Sequence, residues 1–179
     1  MSGPFGQLSD RRRGRAIRLL AAAAVAQLAL FVPLERRMKR TGGHGIIPFE
    51  LAGSPERSRQ ILETWGGEGQ AAARVSLALD YPFPATYAPL QALACTAAGQ
   101  SLAAAGHRSL ASLAGPLAWT QLAAALFDYA ENTSLLAILA GRGGSLPQIA
   151  RRAALTKFAF LYTGWGYMLL ARASAMHGR

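Results

Sequence analysis

The sequence predicts an all-α integral membrane protein, a single domain over residues 1–179. We expect four transmembrane helices in a bundle, with one short interfacial amphipathic helix between the first and second spans. The chain is 51% hydrophobic and only 16% charged, whereas ordinary soluble domains contain about 25% charged residues. Its apolar runs are long enough to cross the ~30 Å hydrocarbon core of a bilayer. No run alternates in the manner of a transmembrane strand, so helices are expected.

The first predicted span covers about residues 16–34 and follows an arginine-rich start. A basic start before an alanine-rich run is also typical of a secretory signal peptide. However, the small residues from Ala24 to Ala26, where cleavage would be expected, lie in the middle of the run, and charged residues begin at Glu35. We therefore expect an uncleaved transmembrane helix.

A polar connection follows, and an amphipathic helix is predicted within it over about residues 55–65. Ser54 is a suitable N-cap, Pro55 suits the first helical position, and the glycine pair beginning at Gly66 should end the helix. We expect this helix to lie at the membrane interface, with Trp65 at headgroup depth. A small soluble helix that caps the bundle is the alternative.

The remaining spans are predicted over about residues 75–98, 114–140 and 152–171. The second span contains three prolines, so we expect a kinked or locally unwound helix that begins beside Asp80. In the fourth span, the glycines at and after Gly164 permit a close approach to a neighbouring helix.

The net charge of +10 does not indicate nucleic-acid binding. The basic residues lie in short runs beside the apolar segments, as expected for attraction to anionic lipid. Neither aromatic–basic interleaving nor zinc-finger spacing is present. The basic residues divide almost evenly between the two predicted sides, so the positive-inside rule does not decide the orientation. The arginine-dense amino tail favours cytoplasmic termini.

Four charged residues lie away from the ends of the predicted spans, and they are Asp80, Asp128, Glu131 and Lys157. A charged side chain at the centre of a span costs at least ~2.5–3.5 kcal/mol on the insertion scale, so it is rarely kept without a partner or a function. The helical rise places Asp80, Glu131 and Lys157 about 7–13 Å from the same membrane face of an antiparallel bundle, with Asp128 one turn deeper. We expect one polar layer between the second, third and fourth spans, and we take these four as the candidate catalytic residues.

Helical spacing adds polar neighbours from the second and third spans as candidate ligand-binding residues. The two polar stripes should face each other. These neighbours are Tyr87, Gln91, Gln121 and Tyr129. The histidines lie outside the spans, and the sequence contains no phosphate-binding glycine loop, zinc-protease motif or nucleophile elbow. We therefore expect no metal and no cofactor.

Three functions fit such a layer. In the first, the protein binds or transforms a lipophilic small molecule, with Asp80 and Glu131 as acid and base and Lys157 as their counter-ion. Tyr87 or Tyr129 would orient the substrate. In the second, the chain is a non-enzymatic accessory or assembly subunit of a membrane complex, and the polar residues fix helix contacts. The third, a proton- or cation-coupled transporter, is disfavoured by the lack of inverted repeats unless the chain forms a homo-oligomer.

Several short elements of the sequence are Pro48-Phe49-Glu50-Leu51-Ala52, Trp65, Leu79-Asp80-Tyr81-Pro82-Phe83 with Tyr87, and Asp128-Tyr129-Ala130-Glu131-Asn132. Together they resemble a group of small, uncharacterised bacterial four-helix membrane proteins. The resemblance covers roughly Pro48 to Lys157. It implies a four-span fold in the bacterial inner membrane, with membrane lipid as a partner and no assigned activity. It also makes Glu50 a candidate ligand-binding residue at the mouth of the site, although a glutamate in a loop is expected to be solvated.

Overall fold

The computed structural model of the protein describes residues 3–177, and all regular secondary structure in that part of the chain is helical. The helices are α1 (Asp10–Arg40), α2 (Ile46–Glu50), α3 (Pro55–Asp80), α4 (Pro84–Ala104), α5 (Arg108–Ala111), α6 (Ala114–Leu139) and α7 (Leu146–His177). The prediction of an all-α protein is therefore confirmed.

Two helical regions of the described chain are long and apolar enough to cross a membrane. They are Asp10–Arg40, which is α1, and Arg108–Leu139, which joins α5 and α6. Their most apolar windows have mean hydropathies of 2.0 and 1.4, and only 11% and 22% of these windows are buried. A core helix of a soluble protein would bury most of such a window, so these two regions are not buried core helices of the described structure. The predicted second and fourth spans do not pass the same test.

The second predicted span is interrupted directly after Asp80. α3 ends at that residue and α4 begins at Pro84, and the turn between them is closed by the amide of Phe83, which donates to the carbonyl of Asp80 at 2.9 Å. Proline has no amide proton and cannot continue a helical hydrogen-bond ladder. The expected local unwinding beside Asp80 is confirmed. Because of it, no continuous apolar helix covers the predicted second span.

α3 begins as predicted but is longer than predicted. The Ser54 hydroxyl caps it by accepting the amide of Arg57 at 3.1 Å. The helix does not end at Gly66, where φ is 57° and ψ is −163°. Such a conformation is available to glycine at little cost, and it produces a sharp kink after which the helix resumes and reaches Asp80.

Trp65 is buried inside the protein, so its side chain is not available to lipid headgroups as an interfacial anchor would be. Its side chain is fully buried, and its ring centroid lies 5.1 Å from that of Phe49. Its Nε1 donates to the carbonyl oxygen of His44 at 2.6 Å. Since Ile61 on the same face is also buried, the first part of α3 packs against the protein itself, in agreement with the alternative of a capping helix.

The chain forms two compact units. The first unit contains the described residues of Met1–Ala23, Ala85–Ala125 and Phe158–Arg179, and the second contains Ala24–Pro84 and Leu126–Lys157. The first has a core of mostly small residues, namely Ala92, Cys95, Ala98, Leu102, Ala118, Tyr167 and Ala171. The core of the second includes the larger side chains Met38, Phe49, Trp65, Leu77 and Leu135.

Within the first unit, α6 and α7 approach closely at Gly164. The side-chain amide of Gln121 donates to the carbonyl oxygen of Phe160 at 2.8 Å, and a Cβ atom at position 164 would lie 2.6 Å from the same amide. The predicted close approach at Gly164 is confirmed. A Cβ atom at Gly166 would meet nothing within 4 Å, so the second glycine is not needed for this contact.

Candidate functional site

Three of the predicted catalytic residues meet in the second unit. Lys157 on α7 lies between two carboxylates of α6, with its Nζ 2.7 Å from Oε2 of Glu131 and 3.1 Å from Oδ1 of Asp128. The two acids share a helix face because they are three residues apart. Their exposed fractions are 0% for Glu131, 2% for Asp128 and 7% for Lys157. α6 and α7 are therefore joined here by buried ionic contacts.

Asp80 has a hydrogen-bond partner that the sequence analysis did not identify. Its Oδ2 accepts from Nδ2 of Asn132 at 2.6 Å, and Asn132 is itself 1% exposed. Asp80 also interacts electrostatically with Asp128 and Lys157. It is partly exposed at the break between α3 and α4, so it is the least enclosed of the predicted catalytic carboxyl groups.

Glu50 is buried at this site, so the expectation of a solvated loop glutamate is wrong. It is the last residue of α2 and is only 8% exposed. Its carboxyl group interacts electrostatically with Lys157, Glu131 and Asp128. Burial raises the pKa of Glu50, and the attraction of Lys157 offsets that effect only in part.

α2 is held in place by a carboxylate from α1. Oε2 of Glu35 accepts the backbone amide of Ile46, the first residue of α2, at 3.1 Å. Its Oε1 also pairs with Lys39 at 3.0 Å. The first amides of a helix have no acceptor within the helix, so a carboxylate there stabilises its start. Glu35 thereby positions the short helix that ends at Glu50.

We refer to Glu50, Asp80, Asp128, Glu131, Asn132 and Lys157 as the polar cluster. It contains four carboxyl groups and one ammonium group, so full ionisation would leave three carboxylates without a counter-charge inside it. An uncompensated buried charge costs several kcal/mol. No group of three or more His, Cys, Asp or Glu side chains among the described residues is arranged to hold a metal ion. Bound protons are the simplest way to balance the cluster.

Tyr129 is the one predicted ligand-binding residue of α6 that lies in the second unit. Its ring centroid is 6.0 Å from that of Tyr81, whose hydroxyl is 2.8 Å from the hydroxyl of Thr133. These side chains are partly or fully exposed. They border the helix break at Asp80 and supply hydroxyl groups there.

The other predicted ligand-binding residues, Tyr87, Gln91 and Gln121, belong to the first unit. Tyr87 and Gln121 are buried, and the amide of Gln121 donates to α7 as described above. The predicted stripe that joins Tyr87 and Gln91 to Asp80 requires a helical register that continues through residues 80–84. The break after Asp80 removes that helical register.

The polar cluster lies apart from two pockets of the described structure. Two cavities in the described structure have volumes of about 380 and 330 Å³, and neither is lined by a residue of the cluster. The first lies where the α1–α2 connection meets α3, and the second is lined mainly by small residues of the first unit. The partly exposed Asp80 is the most accessible carboxyl group of the cluster.

No protein-family model matches this chain, and neither a curated protein nor a solved structure matches it. The resemblance to bacterial four-helix membrane proteins therefore stays a prediction, and the function must be inferred from the geometry of the site.

Proposed function

We propose that the chain is a four-span protein of the bacterial inner membrane whose polar cluster takes up and releases protons, in acid/base chemistry on a lipophilic small molecule or in its binding. The proposed spans are those of the sequence analysis, about residues 16–34, 75–98, 114–140 and 152–171. The observation that carries the proposal is the buried excess of carboxyl groups over ammonium groups in the cluster. An exchangeable proton held beside a substrate is what acid/base catalysis requires.

Exposed apolar side chains support the membrane assignment. Soluble monomers rarely expose large contiguous apolar patches, yet several large hydrophobic residues of α1, α6 and α7 are at least half exposed. Examples are Leu19, Val25, Leu126, Leu155 and Leu169. Val75 and Leu79 add exposed apolar surface on the last part of α3. A lipid environment would cover these faces of all four proposed spans.

The contacts of α1 support its retention in the mature protein. Leu34 and Met38 are part of the buried core of the second unit, and Glu35 caps α2. A signal peptide that is removed would not be expected to continue into a helix with these roles. The first span and the site are thus linked through Glu35, α2 and Glu50.

Within the cluster, Asp80 is suited to exchange protons with a substrate because it is partly exposed at a helix break. Asn132 orients it by donating to Oδ2, and the neighbouring Glu131 on α6 is paired with Lys157. Lys157 stabilises whichever carboxylate of α6 is ionised. In this arrangement Asp80 and Glu131 act as acid and base, and Lys157 is their counter-ion.

The burial of the ion-paired side chains favours a second candidate function, that of a non-enzymatic accessory or assembly subunit. Asp128, Glu131 and Lys157 are almost completely buried, as expected if they only hold α6 against α7. The apolar faces of the spans would then contact other membrane subunits or further copies of the chain.

The test begins with carbonate extraction of membranes that contain the full chain. We expect the protein to remain in the pellet, and release into the supernatant would contradict the membrane assignment. The protein is then purified in mild detergent, and retained small molecules are identified by mass spectrometry in the wild type, Asp80→Asn and the control Glu63→Gln, which lies on the exposed face of α3.

Acid/base or ligand function predicts a retained lipophilic molecule whose amount falls, or whose chemical form changes, in Asp80→Asn but not in the control. If all three proteins carry only bulk lipid and co-purify with the same membrane partner, the acid/base or ligand function is rejected in favour of the accessory function.

A further inference from the structure

We infer that the cavity beside the α1–α2 connection binds a phosphate group of the kind carried by lipid headgroups and soluble phosphate esters. Its volume of about 380 Å³ lies within the usual range of small-molecule pockets, roughly 300–1,000 Å³. It is lined by the loop residues 42–44 and by Arg57, Gln60, Ile61 and Thr64 of α3. None of these residues belongs to the polar cluster, so this site is separate from the proposed catalytic one.

The lining residues favour an anion. Arg57 and His44 contribute groups that donate hydrogen bonds, and no lining residue is acidic. Nη1 of Arg57 lies 3.5 Å from Oε1 of Gln60, and the amide nitrogen of Gln60 is a further hydrogen-bond donor. The planar guanidinium group presents several further N–H donors and matches two phosphate oxygens at once.

The loop that forms one wall of the cavity is held in place by contacts with Trp65. The carbonyl of His44 accepts the indole N–H of Trp65 at 2.6 Å, and a Cβ atom at Gly43 would lie 2.6 Å from the indole ring. Gly43 therefore allows the loop to lie directly on the ring. Because this loop is already held in place, little of the binding free energy of an anion would be needed to order it.

A run of basic residues leads into this loop. Arg36, Arg37, Lys39 and Arg40 are exposed in the last turns of α1, and their field concentrates anions near the cavity. The run follows the first proposed span, which ends at about residue 34. If the four-span proposal is correct, the cavity lies just beyond the hydrocarbon core, at the level of the headgroups, and an anionic lipid is the favoured source of the phosphate. The phosphate site itself does not depend on that proposal.

Binding is tested on the full chain in neutral detergent micelles with three probes. Dioctanoyl phosphatidylglycerol carries a lipid phosphate, dioctanoylglycerol is a lipid without phosphate, and glycerol 3-phosphate carries a soluble phosphate. Dissociation constants are measured for the wild type, Arg57→Gln, His44→Gln and a matched control, Arg59→Gln. Arg59 is exposed on the same helix but does not line the cavity.

We expect the phosphate-bearing lipid to bind and dioctanoylglycerol not to bind. Arg57→Gln should weaken binding about tenfold, because a hydrogen bond to a charged group is lost, and His44→Gln should weaken it less. Arg59→Gln should change the dissociation constant by less than about twofold, as expected for an exposed charge. Thermal melting of each variant verifies that it is folded.

Competition by glycerol 3-phosphate would support a site that recognises phosphate from either source, and binding of the lipid alone would support a headgroup site. The inference is overturned if dioctanoylglycerol binds equally well, if Arg57→Gln and Arg59→Gln lose affinity to the same extent, or if no phosphate-bearing probe binds. A soluble protein that still binds glycerol 3-phosphate through Arg57 would contradict the membrane assignment while supporting this site.

Discussion

The helices α6 and α7 are held together by different chemistry in the two units. In the first unit, the neutral amide of Gln121 donates one hydrogen bond to the carbonyl of Phe160, and Gly164 makes room for it. In the second unit, the ammonium group of Lys157 lies between the carboxylates of Asp128 and Glu131. Both contacts are buried and both join the same two helices.

The difference between the two contacts indicates that charge is not required to join these helices. A neutral hydrogen bond typically contributes ~0.5–1.5 kcal/mol, and the first unit uses one such bond with a glycine. The second unit adds further carboxyl groups from α2 and α3, namely Glu50 and Asp80. These carboxyl groups are costly to bury and are not needed to join the helices. A function explains their presence better than helix contact does.

The largest effect is expected from Lys157→Met in the second unit. Removing one member of a buried pair costs ~3–5 kcal/mol, which lowers the melting temperature of a chain of this size by on the order of 10 °C. Glu131→Gln in the same chain should restore part of the loss. The two single variants and the double variant are compared by thermal melting in detergent.

The control for this experiment is Lys39→Met, which removes a largely exposed pair with Glu35 and should cost less than ~1 kcal/mol. Additive effects of Lys157→Met and Glu131→Gln would mean that the two side chains are not coupled. In that case Lys157 extends to the headgroups, and α6 and α7 are not joined by a buried ion pair in the second unit.

A smaller effect is expected from Gly164→Ala in the first unit. The new Cβ atom would lie 2.6 Å from the side chain of Gln121, so α7 or Gln121 must shift, at a cost of ~1–3 kcal/mol. Gly166→Ala is the matched control, since its Cβ atom meets nothing within 4 Å. That variant should be neutral or slightly stabilising, because glycine is a poor helix former. Equal melting temperatures for the two variants would show that the helices do not approach closely at position 164.

The smallest effect is expected from Glu50→Gln, and it is the one that best reports whether the cluster holds a bound proton. Burial raises the pKa of Glu50 above 4.5, so the folded protein binds this proton more tightly than the unfolded chain does. The penalty for ionising Glu50 is absent at low pH, appears as the pH rises above about 4.5, and becomes constant above the folded pKa. Glu50→Gln should therefore melt at a progressively higher temperature than the wild type as the pH rises.

Melting temperatures measured from below pH 4.5 upwards test the expectation. Glu63→Gln is the control for net charge. A difference between Glu50→Gln and the wild type that does not vary with pH would show that Glu50 is solvated. It would also remove one carboxyl group from the excess in the second unit.

The parts of the site that could be predicted are those fixed by helical geometry. The spacing of Asp128 and Glu131 and the helical rise to Lys157 are sufficient to bring these side chains together, because each lies within one continuous helix. The unwinding beside Asp80 could be predicted for a similar reason, since proline has a local effect on the backbone. The four spans are supported only in part, because two helical regions meet the length and hydropathy criteria.

The parts that could not be predicted depend on tertiary contacts. Glu50 lies in a short apolar run inside a longer polar connection, and nothing along the chain indicates that Glu35 caps its helix. Asn132 is a neutral residue in an apolar helix and becomes noticeable only when Asp80 is seen beside it. The glycine pair at Gly66 predicts a helix end, because the sequence does not reveal that a kink there allows α3 to continue to Asp80.

The pairing of Lys157 with Asp128 and Glu131 has a consequence for how the protein is made. In the proposed four-span arrangement, the carboxyl groups of α6 leave the ribosome 29 and 26 residues before the lysine that balances them. An insertion channel would receive an acidic segment that is poorly suited to enter lipid by itself. The hairpin of α6 and α7 should therefore leave the channel as one unit, with its ion pair already formed, and α6 should stay in the channel until Lys157 has emerged from the ribosome.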